Sequence, residues 1–213
     1  MTTEEYKIVR KSGMDLAYKI LDTLSKKNKE MQHAGKLLGF WDGKAMIFDS
    51  EEEVDVLMDF VLYEKNNFGI KLIDKFYDSA YDLSEIEEEI LEGMVDYHSS
   101  LFQIKSIDSV NCIITLIDLF DKKQTEFKLM DLGISKTGSA RIIFYTRLIP
   151  IRDVYMTSGV SFGFDASVKN KILSDISLLR FKLRRKMDSS DLFILTHKAS
   201  KQYGLEIVKM DAK

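Results

Sequence analysis

Residues 101–107 read LFQIKSI, 112–120 CIITLIDLF, 125–130 TEFKLM, 140–151 ARIIFYTRLIPI and 154–158 VYMTS. Within the third of these, Phe127 and Leu129 alternate with Glu126 and Lys128, so one face is buried and the other wet. The second is almost wholly apolar and rich in β-branched side chains, as a central strand covered on both faces would be. The connections at 108–111, 121–123 and 152–153 are short and polar. Such lengths join antiparallel neighbours, because a parallel crossover needs about a dozen residues or more. One connection is longer: residues 131–138, DLGISKTG, carry two glycines, and loops of this kind often hold binding residues.

Working outward, helices fill the flanks. Thr2 with Glu5 spells a capping box ahead of Val9, Leu16 and Ile20 at helical spacing. The polar run at 25–32 is expected to end that helix. In KLLGFWDGKAMIF, Asp42-Gly43 supplies the positive φ angles of a tight hairpin turn. Ser50 is placed to cap a helix with Glu51, Glu52 and Glu53 in its first turn. A further helix is expected over 70–80, burying Ile70, Ile73, Phe76 and Tyr77, and Ser84 with Glu87 caps another. Beyond the strands, Ser167 is placed to cap a long helix, a last one starts near Ser190, and LEIV at 205–208 reads as an edge strand.

Helices, then clustered strands, then helices indicate an α+β fold. The expectation is an antiparallel meander sheet or partly open barrel over about 101–158, flanked by helices, with an N-terminal hairpin at 37–48. With no Ser/Gly linker and one proline, residues 1–213 read as one domain. Its parts are a helical stretch over about 1–98, a strand-rich stretch over about 99–160 and C-terminal helices over about 167–203. Ile113, Leu116, Phe127, Leu129 and Phe144 are expected in a core shared with the helices opened by Ser84 and Ser167.

Composition narrows function by exclusion. A formal charge of −3 gives no general attraction to nucleic acid or anionic membrane. A single cysteine, Cys112, allows no internal disulfide and no thiolate metal cluster, which fits a cytoplasmic setting. No leader-like apolar segment opens the chain, no run is long enough to span a membrane, and His33, His98 and His197 lack metal-ligand spacing. Neither a metal nor a cofactor is expected.

Three stretches carry candidate chemistry. Residues 159–163, GVSFG, fit the G-x-S-x-G elbow that exposes a nucleophilic serine, here Ser161, at a strand-to-helix turn. Only His197 follows it as a base, and glycines that let the chain leave the sheet explain the same letters. The loop at 131–138 resembles the D-x-S-x-x-G loop of PilZ domains, small β-barrels that bind cyclic di-GMP. Ser135 and Gly138 match it, Gly133 stands at the acid's position with Asp131 two residues early, and the upstream R-x-x-x-R is missing. That resemblance, and the anion-cradling capacity of glycine loops, makes Asp131, Ser135, Arg141 and Arg147 the candidate ligand-binding residues. A hairpin loop with two glycines is the alternative.

The third stretch is RFKLRRK, in which Arg180, Lys182, Arg184, Arg185 and Lys186 would face phosphates or an acidic partner, or complement a helix C-terminus. Nucleic acid is not the expected partner, because the chain as a whole is acidic. Residues 84–159, an acid-rich helix followed by SSLFQI, LIDLF, RLIPI and YMTSG, resemble a group of uncharacterised bacterial proteins. Some of those carry a Cys/His-rich SEC-C zinc tail; none stands here, and the resemblance implies no activity. The resulting expectation is an intracellular binding or interaction module, with an anionic-ligand or nucleotide sensor and a serine hydrolase as alternatives. An enzyme is the less favoured class.

Overall fold

A computed structural model describes residues 1–24, 29–79 and 82–205. Two compact units share the chain: Ile8–Asp96 forms one, and Met1–Lys7 with Tyr97–Lys213 forms the other.

The helical unit is built from α1 (Thr3–Leu21), α2 (Lys29–Leu38), α3 (Glu51–Tyr63), α4 (Leu72–Tyr77) and α5 (Glu85–Val95), of which α1 contributes its first residues to the other unit. Both capping boxes read from the sequence are present. Glu5 N–H donates to Thr2 Oγ1 while Thr2 N–H donates to Glu5 Oε2, and Ser84 and Glu87 exchange the same pair. Ser50 occupies the N-cap position of α3 without a side-chain cap bond. The polar run expected to end α1 is itself helical from Lys29, and its residues 25–28 lie outside the described residues. The hairpin at 37–48 is reduced to one bridge, Trp41 to Met46, because Leu37 and Leu38 finish α2. Asp42 Oδ1 accepts from the N–H groups of Lys44 and Ala45, and Gly43 takes φ +106°. Helix α4 is shorter than expected: Ile73 is buried, Ile70 and Tyr77 are exposed, and Ala80 lies outside the described residues.

The second unit centres on a sheet. Its first three strands are β1 (His98–Asp108), β2 (Ile113–Asp118) and β3 (Glu126–Met130), joined by short connections as an antiparallel meander. The chain then departs from a meander. The 131–138 loop folds as the single turn α6 (Ile134–Thr137) and carries the chain to β4 (Ile142–Ile151), which pairs with β1. Strand β5 (Val154–Asp165) pairs antiparallel with β4, and its Tyr155 pairs in parallel with Leu129 of β3. That bond closes β1, β2, β3, β5 and β4 into a ring. Leading away from it are α7 (Lys169–Lys182), α8 (Ser189–Tyr203) and the two-residue β6 (Gly204–Leu205) on β5; residues 206–208 of the expected edge strand lie outside the described residues.

Ring closure gives the strands an interior of their own. Phe102, Ile104, Ile114, Leu116, Leu129, Phe144 and Leu148 form one buried cluster, and Ile134 of α6 packs against it at one end. Ile114 takes the inward place expected of Ile113, which is half-buried, because side chains alternate along β2 and Ile114, not Ile113, shares a face with Leu116. The outer face of β4–β5 is covered by α8: Phe193 meets Tyr145 and Phe162 edge-on at 5.6 and 5.3 Å. Asp165, not Ser167, caps the turn that leads into α7, and Asp188 with Asp191 forms a further capping box for α8.

Candidate functional site

The end of the ring away from α6 carries polar chemistry. Strand β1 opens with His98, Ser99 and Ser100, and β2 closes with Asp118, whose register partner is Phe102. Alternation places His98 and Ser100 on the same side as Phe102, so all three polar groups converge. Ser100 Oγ donates to Asp118 Oδ1 at 2.7 Å, Phe120 N–H donates to the same oxygen at 2.8 Å, and His98 Nε2 lies 2.8 Å from Oδ2. An ionised carboxylate only accepts, so this contact assigns a proton to Nε2. The His98 ring stacks on Phe127 at 5.3 Å with an interplanar angle of 11°, and Phe127 meets Tyr155 at 5.4 Å. The Asp118 side chain is only 7% exposed, against 46% for His98.

Burial pushes the Asp118 carboxyl up, but hydrogen bonds from His98, the Phe120 N–H and Ser100 outweigh it and hold the group below its ordinary value. Asp118 is therefore the hub of the trio. Serine activation requires the hydroxyl to bond the histidine, with the acid behind it. Here the hydroxyl and the imidazole bond different oxygens of one carboxylate, which orders the ring end and leaves the serine proton on an acid's hydrogen bond.

Ser161 is placed otherwise than its motif suggests. GVSFG lies inside β5 rather than at a strand-to-helix turn, and the strand runs on to Asp165. Gly159, at φ +115°, supplies the irregularity that shifts the β4–β5 register between Thr146 and Leu148, instead of ending the strand. Ser161 Oγ donates to Thr146 Oγ1 at 2.9 Å, and His197 is buried in α8 with its ring 5.5 Å from that of Phe162.

The four candidate ligand residues are dispersed. Asp131 Oδ1 accepts from the N–H groups of Gly133 and Ile134, and Ser135 is buried with its hydroxyl donating to the Leu132 carbonyl. The N–H groups of Ser135, Lys136, Thr137 and Gly138 also donate within the loop, so an anion bound there would have to displace them. Arg141 is exposed, 3.9 Å from Asp165. Arg147 is buried on the outer side of β4, with its guanidinium 5.1 Å from the Tyr97 ring and 5.2 Å from that of Phe193.

The basic stretch straddles the end of α7. Arg180 lies 4.9 Å over the Phe120 ring, and Arg185 grips both oxygens of Asp191 at 2.7 and 2.8 Å. Beside it, α7 and α8 enclose an open groove of about 330 Å³, floored by Leu179, Ile194, Leu195, Ala199 and Tyr203. Among the described residues no three His, Cys, Asp or Glu side chains converge as metal ligands. No helix among them is long and apolar enough to cross a membrane.

The profile of a family of unknown function, DUF7986, matches residues 1–210. The chain belongs to DUF7986. No curated protein and no solved structure matches it.

In this DUF7986 chain the His98–Ser100–Asp118 trio and the α7–α8 groove are the features that motif reading missed. A signal for the trio was present: Asp118 interrupts the apolar run LIDLF, and a carboxylate inside a covered strand requires partners. For the groove the signal is DLFIL, whose apolar residues are too many for one helix face.

Proposed function

We propose that this DUF7986 member acts by binding, as a non-enzymatic interaction module with a protein partner in the cytoplasm. The observation that carries the reading is where its two candidate nucleophiles send their protons. Ser161 donates to a threonine hydroxyl and Ser100 to a carboxylate, and neither acceptor is the imidazole that would activate it. A groove with an apolar floor, open between two helices on the sheet's outer side, supplies a place for a partner.

A turnover screen tests the proposal. The full chain is offered simple esters, phosphoesters and nucleotides, beside Ser161→Ala and Ser100→Ala variants. The expected outcome is no turnover above that of either variant. Hydrolysis of any one class that a single serine substitution abolishes overturns the reading.

A further inference from the structure

We infer that the α7–α8 groove docks an acidic amphipathic helical segment of a partner protein, an inference that rests on the binding-module reading above.

Helix α8 has apolar side chains on two faces. Leu192, Phe193 and His197 are buried, while Ile194, Leu195 and Ala199 remain half-covered and form the groove's floor with Leu179 and Tyr203. Two helices flanking an apolar trough are the geometry into which a third helix lays its apolar face.

Charge selects the occupant. Residues 169–203 contain nine Lys or Arg against three Asp and no Glu, a formal +6 in a chain whose total is −3. The three acids are already engaged: Asp175 by Lys171, and Asp188 and Asp191 by Arg185. Among the described residues Lys182, Arg184, Lys186 and Lys198 have no ion-pair partner, and all four are exposed. Lys198 stands at the groove itself, and Lys182 lies one helical turn beyond Leu179. An apolar trough with Lys198 at its edge, Lys182 one turn beyond it, and its Asp175 and Asp191 carboxylates already paired is complementary to a helix with an apolar face and acidic flanks.

The same charge disfavours two other occupants. A second copy related by two-fold symmetry would set one basic layer against another. Nucleic acid would meet an apolar floor with a single aromatic ring, Tyr203, too few rings to stack successive bases.

Two labelled peptides of about 20 residues provide the test, sharing one leucine pattern at helical spacing and carrying either Glu or Lys at the polar positions. Fluorescence anisotropy is read against the full chain, with a single-stranded oligonucleotide as a third probe. The acidic peptide should bind saturably and at least about tenfold more tightly than the basic one. Lys198→Glu, a change at an exposed position that leaves the floor intact, should weaken the acidic peptide severalfold, and so should Leu195→Asp. Equal binding of both peptides, binding of neither, or indifference to both substitutions overturns the inference. So does tighter binding of the oligonucleotide, or a dimer in light scattering that Leu195→Asp abolishes. None of these results bears on the turnover screen, so the inference and the binding-module reading fail separately.

Discussion

His98 Nε2 and Asp118 Oδ2 lie 2.8 Å apart at one end of the strand ring, on a carboxylate that also holds Ser100. Because those bonds favour the charged form, the folded Asp118 group titrates below its unfolded value. A carboxyl group of this kind stabilises the fold above about pH 4, and that contribution is lost as pH falls through the folded value. Asp121, held by the Thr125 hydroxyl and the N–H groups of Lys123 and Thr125, is lowered to about 2 and titrates in the same direction. Denaturant unfolding as a function of pH should therefore show stability falling from about pH 4 towards pH 2. In Asp118→Asn the fall should be shallower, and at neutral pH the variant should lose about 1–3 kcal/mol. An unchanged pH slope would contradict the assignment.

The ring interior sets the second expectation. Leu116 is fully buried and packs in the cluster shared by the strands, whereas Ile113 sits half-buried at the start of β2. Leu116→Ala should cost about 2–5 kcal/mol in chemical denaturation, with Ile113→Ala clearly less costly. A greater cost at Ile113 than at Leu116 would mean that β2 is shifted by one residue.

Arg147 illustrates how a residue type alone misleads. The sequence marks it as a charge for an anionic ligand, while the fold buries it between the Tyr97 and Phe193 rings. Arg147→Gln should therefore lower the melting temperature, whatever ligand is present, and Arg147→Lys should not restore it, because the planar guanidinium fits between rings as an ammonium does not. Recovery in the lysine variant would show that charge alone matters there.

Legibility followed the range of the interactions. The capping boxes at Thr2 and Ser84 are bonds between residues three apart, and the sequence spells both partners. The strands of the meander are local too, announced by alternation and by polar turns. Ring closure is not local: Leu129 and Tyr155 pair across an intervening strand and loop, and neither residue type marks the event. The trio at His98 was hidden because β1 begins three residues before its apolar pattern does, and the bonds that recruit those residues come from Asp118, twenty positions on. GVSFG was misplaced because a glycine reads alike whether it ends a strand or bends it.

The reading of residues 1–213 as one domain also makes an expectation. Helix α1 runs unbroken through Lys7 and Ile8, where one compact unit gives way to the other. Calorimetry of the full chain should show one cooperative transition, and mild proteolysis should release no stable fragment beginning near Ser99. Two separated transitions, or such a fragment, would establish two independent domains.

The most direct measurement of whether this protein works by binding or by chemistry is fluorophosphonate labelling of the folded chain, with the modified peptide located by mass spectrometry. A hydroxyl activated by a base reacts with this probe, and one that donates to Thr146 or to Asp118 does not. The account predicts no adduct on Ser161 or Ser100 in the folded protein. Stoichiometric labelling of either serine, lost on denaturation, would contradict it.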